Sequence, residues 1–236
     1  MSHRGTILAI IAVVILAIYI AVPKHQFVKS VFPLRPSERA SVYNDSSDGG
    51  SSIVRMGLVD SSLDFECTLG NDTTKPAWCG LIWEMDAEKK GSYENWTLVD
   101  SLILDIESAE KTGIVFKVWT YDPDVTDEAK LNTFRQLIKE VPLNKGNNHI
   151  ALAMEDLYVP DFWYEQTGTS KNLTQRHQEH VARVEITPGW DAKHGAHLAL
   201  KIKKIEARGI GNIELAIFLG AYLILAIIAI GFLRKR

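Results

Sequence analysis

Two apolar runs stand at the ends of the chain, and a longer stretch of alternating apolar and polar residues lies between them. The first run covers residues 6–22 and the second covers residues 215–233. Each is close to the length of helix that crosses a hydrocarbon core of about 30 Å. We therefore predict transmembrane helices over residues 6–22 and 213–233, with residues 1–5 and the basic end 234–236 in the cytoplasm. A cleaved signal peptide is the alternative for the first run, although its flank has no clear small-x-small cleavage site.

The stretch between the runs divides into a linker and one domain. Residues 23–41 contain Pro33 and Pro36, which stop a continuing helix, so a juxtamembrane linker is predicted there. Residues 42–209 are predicted to form the extracytoplasmic domain. Strand-like segments separated by turn residues cover residues 52–58, 63–69, 80–85, 101–107, 114–121, 134–141, 149–153, 181–187 and 198–202. These segments, without a long amphipathic helix, predict an all-β fold with an antiparallel sandwich.

The charge of the chain excludes one class of partner. The chain has 26 Lys and Arg residues against 29 Asp and Glu residues, and residues 23–212 hold all but one of the acidic residues. A mildly acidic domain without a basic stripe binds nucleic acid poorly, because that affinity depends on neutralising phosphates. The sequence also lacks the G-x-S-x-G, G-x-G-x-x-G and phosphate-loop motifs of common enzyme classes. We therefore predict no nucleic-acid partner and no catalytic residues.

The cysteine content favours an exported domain. The chain contains two cysteines, Cys67 and Cys79, which is the number that one disulfide needs in an oxidising compartment. The predicted bond would join neighbouring strands across residues 70–78. Two buried free thiols are the alternative.

Three tryptophans are candidates for contact with a ligand. Trp96, Trp163 and Trp190 are predicted to lie at loops, beside Asn95, Asp161 and Asp191 respectively. An exposed aromatic face next to polar groups suits a ligand that has both apolar and hydroxyl surfaces, such as a sugar. Packing in the core is the alternative, because aromatic side chains bury large areas.

Several motifs in the middle of the chain resemble a known group of domains. They are D-x-x-x-G-G-S-S at residues 45–52, L-x-L-x-I from residue 102, F-x-V-x-T from residue 116, D-P-D at residues 122–124, V-P-D-F-W at residues 159–163, and L-x-I-x-K-I-E from residue 200. Together they resemble the periplasmic galactose-binding-like, or carbohydrate-binding-like, sensor domains of bacterial membrane receptors. In those receptors the domain lies between two transmembrane helices and precedes a diguanylate cyclase or a histidine kinase.

The resemblance implies a jelly-roll sandwich in the periplasm, anchored in the bacterial inner membrane by two helices. It implies recognition of a small molecule or glycan, and transmission of a signal to a cytoplasmic output domain or partner. A homodimer is a further expectation, because a ligand can shift a dimerisation equilibrium. An exported glycan-active enzyme and a structural or assembly membrane protein are the alternatives.

A calcium site is also implied by the resemblance, since jelly-roll domains of this type often hold a structural calcium ion near their ends. Asn44, Asp45 and Asp48 offer the oxygen atoms that a hard cation prefers. A solvated turn is the alternative, because no loop matches a complete calcium motif. No other cofactor is expected.

Overall fold

The computed structural model describes residues 3–24, 26–34, 39–85, 91, 93–211 and 213–234. The helices are α1 (His3–Ala21), α2 (Asp161–Thr167) and α3 (Ile213–Arg234). The strands are β1 (Gln26–Phe32), β2 (Arg39–Asn44), β3 (Ile53–Val59), β4 (Ser62–Thr68), β5 (Cys79–Glu84), β6 (Val99–Ser108), β7 (Thr112–Thr120), β8 (Arg135–Leu143), β9 (Gly146–Ala153), β10 (Val181–Pro188) and β11 (His197–Ile210). The chain separates into two compact units, one formed by Met1–Phe27 with Gly209–Arg236 and the other by Val28–Arg208.

The unit formed by the chain ends is a pair of apolar helices. Tyr19 of α1 stacks on Phe218 of α3 with ring centroids 4.3 Å apart, and the hydroxyl of Tyr222 donates to the carbonyl oxygen of Ala12 at 2.7 Å. In α3, Ile213–Phe232 is long and apolar enough to cross a membrane, with a mean hydropathy of 2.7. The apolar part of α1 is the shorter segment Gly5–Ala21. One candidate membrane helix is therefore found among the described residues, and the prediction of a second span at α1 is not confirmed.

The larger unit is a sandwich of two antiparallel sheets. Sheet A has the strand order β3-β4-β11-β6-β9, with β1 also paired to β11, and sheet B has the order β2-β5-β10-β7-β8. The core lies between them, where alternate residues of β4 (Leu63, Phe65) and β5 (Leu81, Trp83) are fully buried. Alternation arises because successive side chains of a strand point to opposite faces. The predicted all-β antiparallel fold is confirmed.

The segment predicted as a linker is the main correction to the predicted organisation. Residues 23–41 include all of β1 and the first residues of β2, and Val31 and Phe32 of β1 are buried. Pro33 follows the last residue of a strand of sheet A rather than an anchor helix, and Pro36 lies outside the described residues. Pro lacks the N–H that a strand ladder uses, so it can end a strand as well as a helix.

The predicted disulfide between Cys67 and Cys79 is confirmed, with the Cα atoms 6.3 Å apart. Cys67 lies in β4 and Cys79 lies in β5. These strands are consecutive along the chain, but they belong to different sheets. The bond therefore joins sheet A to sheet B through the core, instead of linking neighbouring strands of one sheet.

Loss of this disulfide is expected to destabilise the sandwich. Replacing both cysteines by serine should lower the free energy of unfolding by about 3 kcal/mol, because the closed loop of this length no longer restricts the unfolded chain. Urea denaturation of the wild type and the double variant measures this difference. The wild type in reductant should match the double variant, and equal midpoints with and without reductant would contradict the prediction.

Candidate functional site

The outer face of sheet B carries a row of polar side chains. On β10, Val184 and Ile186 are buried in the core, so the residue between them, Glu185, points to the opposite face. The register places Glu185 opposite Lys117 of β7 and places Arg183 opposite Trp119 of the same strand. Strands that are apolar on one side thus present charged and aromatic groups on the other.

Three of these side chains, Lys117, Trp119 and Glu185, form with Tyr43 the floor of a groove of about 820 Å³. Its walls come from segments outside the sheet, namely the residues before β5, the helix α2 and the residues after β10. The lining side chains that carry the argument below are Tyr43, Trp78, Lys117, Phe162, Glu185 and Trp190. A groove of this size, with aromatic and polar groups facing each other, is typical of a small-molecule or oligomer site.

Three polar groups of the floor hold one another in place. Glu185 is buried, and its Oε1 accepts hydrogen bonds from the Tyr43 hydroxyl and from Lys117 Nζ, the latter at 2.8 Å. Burial, together with the negative charge of Glu185, raises the pKa of Tyr43 above its ordinary value, so its hydroxyl keeps its proton. The Lys117 and Glu185 charges cancel, and the floor presents fixed hydrogen-bonding groups without net charge.

The position of the Tyr43 ring depends on a glycine. Gly80 of β5 is the cross-strand partner of Tyr43 on β2. A Cβ atom at Gly80 would lie 2.5 Å from Cζ of the tyrosine ring. The absent side chain therefore lets the ring lie across β5 and bring its hydroxyl to Glu185 on the next strand.

The walls of the groove are aromatic. Trp190 is 53% exposed and Phe162 is 42% exposed, and their ring centroids lie 6.3 Å apart in an edge-to-face arrangement. Trp78 lies 5.5 Å from Tyr43 between ring centroids. Apolar ring faces thus surround hydrogen-bonding groups, which is the combination that a sugar ring with its hydroxyls requires.

The structure separates the three predicted ligand tryptophans. Trp190 lies in the groove, whereas Trp163 and Trp96 are buried. Trp163 Nε1 donates to the carbonyl oxygen of Phe134 at 2.7 Å, inside the core. The expectation that Trp96 and Trp163 are exposed at loops is wrong, because both side chains are buried. Neither offers a free face to a ligand.

The groove also contains residues that the sequence prediction did not select. Tyr43, Lys117 and Glu185 come from β2, β7 and β10, which are far apart in the chain but close together in sheet B, where β5 alone separates β2 from β10. The only local signal was the alternation of the strands, which leaves Glu185 as a charged residue between apolar neighbours. That signal marks an outward position but does not say which strands lie side by side.

The three predicted calcium ligands occupy a tight turn beside the groove. Asp45 is buried, and its carboxylate accepts hydrogen bonds from the backbone N–H of Ser52 and of Trp78, each at 2.9 Å, and from the Ser52 hydroxyl. Asn44 Nδ2 donates to the carbonyl oxygen of Ser52 at 2.7 Å, and Asp48 is exposed. Among the described residues, no group of three His, Cys, Asp or Glu side chains is arranged to hold a metal ion. Asn44 and Asp45 have a structural role here, and calcium binding stays a prediction.

The buried carboxylate of Asp45 predicts a pH dependence of stability. Burial acts to raise its pKa, but the hydrogen bonds from Ser52 and Trp78 outweigh burial and hold the pKa of Asp45 below its ordinary value. Because the folded pKa is depressed, the carboxylate stabilises the fold above its unfolded pKa of about 3.9, and this contribution is lost as the pH falls through the folded value. Asp45→Asn should therefore be less stable than the wild type at neutral pH and lose less stability on acidification, measured by urea denaturation down to about pH 3. Identical acid slopes for the two proteins would contradict this.

Comparison with known proteins supports the fold and leaves the sequence without a matching family. Two structures of a family 11 carbohydrate-binding module from Clostridium thermocellum resemble this chain. One, solved in complex with a β-1,3-1,4-mixed-linked tetrasaccharide, has a TM-score of 0.51 and 8% identity, and covers 79% of this chain and 96% of the module. The other, from the cellulosomal cellulase Lic26A-Cel5E, has a TM-score of 0.52 and 9% identity, and covers 80% of this chain and 96% of the module. No protein-family model and no curated protein sequence matches the chain.

The fold is therefore a jelly roll like that of carbohydrate-binding modules. At this level of identity the likeness shows the fold alone. What the chain binds has to be argued from its own groove.

Proposed function

We propose that the groove on the outer face of sheet B binds an uncharged glycan, and that the chain is a membrane-anchored binding domain rather than an enzyme. The observation that carries this proposal is the combination of exposed Trp190 and Phe162 with the compensated Lys117–Glu185 pair on the floor. Aromatic faces suit the C–H surfaces of sugar rings, and fixed polar groups suit their hydroxyls.

Because the charges of Lys117 and Glu185 on the groove floor are paired with each other, the groove favours an uncharged ligand over an ionic one. An anionic ligand would need an unpaired cation, but Lys117 Nζ is 2.8 Å from a carboxylate oxygen of Glu185. A wholly apolar ligand would displace water from the remaining hydrogen-bonding positions of these groups without replacing it, which costs free energy. A hydroxyl-rich, uncharged ligand avoids both costs.

The alternative of a glycan-active enzyme is less well supported. Glycoside hydrolysis uses two carboxyl groups on opposite sides of the scissile bond. Among the described residues that line the groove, Glu185 is the one carboxylate, and it is already engaged by Tyr43 and Lys117. A binding function needs no second acid.

The proposal is tested by affinity electrophoresis of the full chain in detergent through gels that contain soluble polysaccharides. A β-1,3-1,4-linked glucan is the first probe, because the structurally similar module was solved with such a tetrasaccharide. Other neutral glucans, galactans and mannans complete the neutral set, and alginate and pectate form the charged set. At least one neutral polysaccharide should retard the protein. Retardation by charged polysaccharides alone, or by none, would overturn the proposal.

We further infer that the chain is anchored by both terminal helices in a bacterial inner membrane, with the jelly roll in the periplasm. The disulfide supports an oxidising compartment, and the apolar segment of α3 supports an anchor. Ligand binding would then signal to a cytoplasmic partner by shifting the chain between two conformational states. The ligand causes this shift by binding one state more tightly than the other, because that difference in affinity is the only energy source for it.

Alkaline phosphatase fusions test this topology. A fusion at Gly146, the first residue of β9, should be active because the enzyme folds only outside the cytoplasm. A fusion after residue 236 should be inactive. The reverse pattern, or activity at both positions, would contradict an arrangement with both termini in the cytoplasm.

A further inference from the structure

A second cavity, of about 560 Å³, adjoins the groove on the outer face of sheet B. Its lining includes Lys111, Thr112, Gly113, Glu140, Gly189 and Asp191. Gly189, the residue after β10, lines both the groove and the second cavity. The next two residues divide between them, since Trp190 lines the groove and Asp191 lines the second cavity. The two spaces are therefore neighbours that meet at the segment after β10.

The strand β7 passes beneath both spaces. Lys117 and Trp119 line the groove, whereas Thr112 and Gly113, at the start of the strand, line the second cavity. Gly113 and Lys117 are four positions apart, so they lie on the same face of the sheet. Four residues of an extended strand span about 13 Å. A ligand that lies along β7 can therefore reach from one space into the other, provided that it is longer than a single sugar ring.

Two glycines leave bare backbone where the spaces meet. The backbone N–H of Gly189 donates to the carbonyl oxygen of Gly113 at 2.9 Å. A Cβ atom at Gly189 would lie 3.1 Å from that oxygen and 2.9 Å from Asp191 Oδ1, so a side chain there would push the two segments apart. A Cβ atom at Gly113 would lie 3.8 Å from Asp191 Oδ1, which is an ordinary van der Waals contact. Neither residue has a side chain that separates the groove from the second cavity.

The charged side chains of the second cavity favour a neutral ligand that donates hydrogen bonds. Lys111, Glu140 and Asp191 are all exposed. Glu140 is the cross-strand partner of Val115 on β7, so it lies on the same outer face as Lys117. Two carboxylates against one ammonium group make the second cavity acidic, which disfavours an anionic ligand. Carboxylates accept strong hydrogen bonds from neutral donors such as sugar hydroxyls.

We propose that the second cavity is a further subsite for the neutral glycan, and that the protein binds an oligosaccharide segment extended along β7. This inference rests on the proposed function of the groove and adds the length of its ligand. Some sugar rings pack against Trp190 and Phe162 in the groove, and the hydroxyls of farther units donate to Asp191 and Glu140. Affinity should then rise with chain length, because the second contact forms within a molecule that is already bound.

Isothermal titration calorimetry of the full chain in detergent, with oligosaccharides of increasing length, tests this subsite. The probes are cut from β-1,3-1,4-linked glucan, or from another neutral polysaccharide that retards the protein, and run from disaccharides to octasaccharides. Affinity should rise at least about ten-fold from the shortest oligosaccharide that binds to the longest. The same affinity at every bound length would overturn the subsite while leaving the groove as the binding site. No binding at any length would overturn the proposed function as well.

Gly113→Leu fills the second cavity and leaves the groove unchanged. The strand accepts a Cβ atom at this position, and leucine extends it toward Asp191. This variant should bind the shortest oligosaccharides within about two-fold of the wild type and the longest at least about five-fold more weakly. Gly57→Leu on β3 is the matched control, because a Cβ atom there meets nothing within 4 Å and β3 belongs to sheet A. The control should bind every length as the wild type does.

Glu140→Ala tests the same subsite without adding bulk. Because Glu140 is exposed, the variant should keep the wild-type thermal unfolding midpoint. Loss of the acceptor should weaken binding of the longest oligosaccharides about three-fold or more and leave the shortest unaffected. If Gly113→Leu and Glu140→Ala both bind the longest oligosaccharides as the wild type does, the second cavity is not a subsite. An equal loss at every length would also contradict the proposal, since the effect would then lie in the groove.

Discussion

Trp190→Ala is expected to weaken binding of a neutral glycan at least about ten-fold while leaving the fold intact. A ten-fold loss corresponds to about 1.4 kcal/mol, and removal of a central tryptophan from a binding site commonly costs more than that. The ring is half exposed in the free protein and makes its closest aromatic contact with Phe162, so its removal opens no cavity in the core. Isothermal titration calorimetry with the polysaccharide found by electrophoresis gives the affinity of each variant.

Tyr158→Ala is the matched control. Tyr158 is 50% exposed, similar to Trp190, but it lies outside the groove. Its removal should leave the affinity within about two-fold of the wild type, since surface substitutions away from a site have small effects. If both variants bind as the wild type does, Trp190 is not part of the site. If both lose binding equally, the loss reflects a general effect of removing surface aromatic rings.

Trp163→Ala is expected to lower the free energy of unfolding by about 3–5 kcal/mol, because it removes a large side chain from a site that cannot fully collapse. The ring has no exposed surface, its Nε1 donates to the Phe134 carbonyl, and the Arg135 guanidinium lies 4.6 Å above the ring. Arg135 is itself buried and donates from Nη2 to Asp122 at 2.6 Å. Loss of the ring would therefore also leave this buried ion pair less well packed.

Trp163→Phe separates packing from hydrogen bonding at the same position. The phenylalanine ring keeps part of the apolar surface beneath Arg135 but leaves the Phe134 carbonyl without its donor, at a cost of about 1–3 kcal/mol. Urea denaturation should rank the stability as wild type, then Trp163→Phe, then Trp163→Ala. A Trp163→Ala protein that keeps full stability but loses glycan binding would show that Trp163 acts in the site and not in the core.

The strands of the domain could be predicted because their signal is local. Alternation in residues 181–187 and 198–202 fixes which side chains share a face, and the structure places β10 and the start of β11 there. β1 was missed because Pro33 lies directly after it and the segment adjoins an apolar helix. Proline marks the end of an element without saying which kind of element has ended.

The groove was harder to predict because residues that are adjacent in the sequence differ in whether they are exposed or buried. Phe162 and Trp163 are adjacent in α2, yet the first is exposed in the groove and the second is buried beneath Arg135. Successive residues of a helix differ by about 100° around its axis, so the outcome depends on how α2 docks against sheet B. That docking is a tertiary property, and a polar neighbour in the sequence, such as Asp161, does not reveal it.

The same limit applies to the pairing of Tyr43 with Glu185. The two residues are 142 positions apart, and their hydrogen bond depends on the strand order β2-β5-β10 and on the missing side chain of Gly80. Without an order for the strands, the sequence contains an outward acid on β10 but no partner for it.

Hydroxyl-radical footprinting with and without a bound neutral polysaccharide tests the location of the site most directly. Trp190 and Phe162 are exposed in the free protein, and saturating ligand should protect both from oxidation. The exposed Tyr158, outside the groove, should be oxidised equally in both samples. Unchanged oxidation of Trp190 and Phe162 while the glycan is demonstrably bound would contradict the account, because the binding surface would then lie elsewhere on the domain.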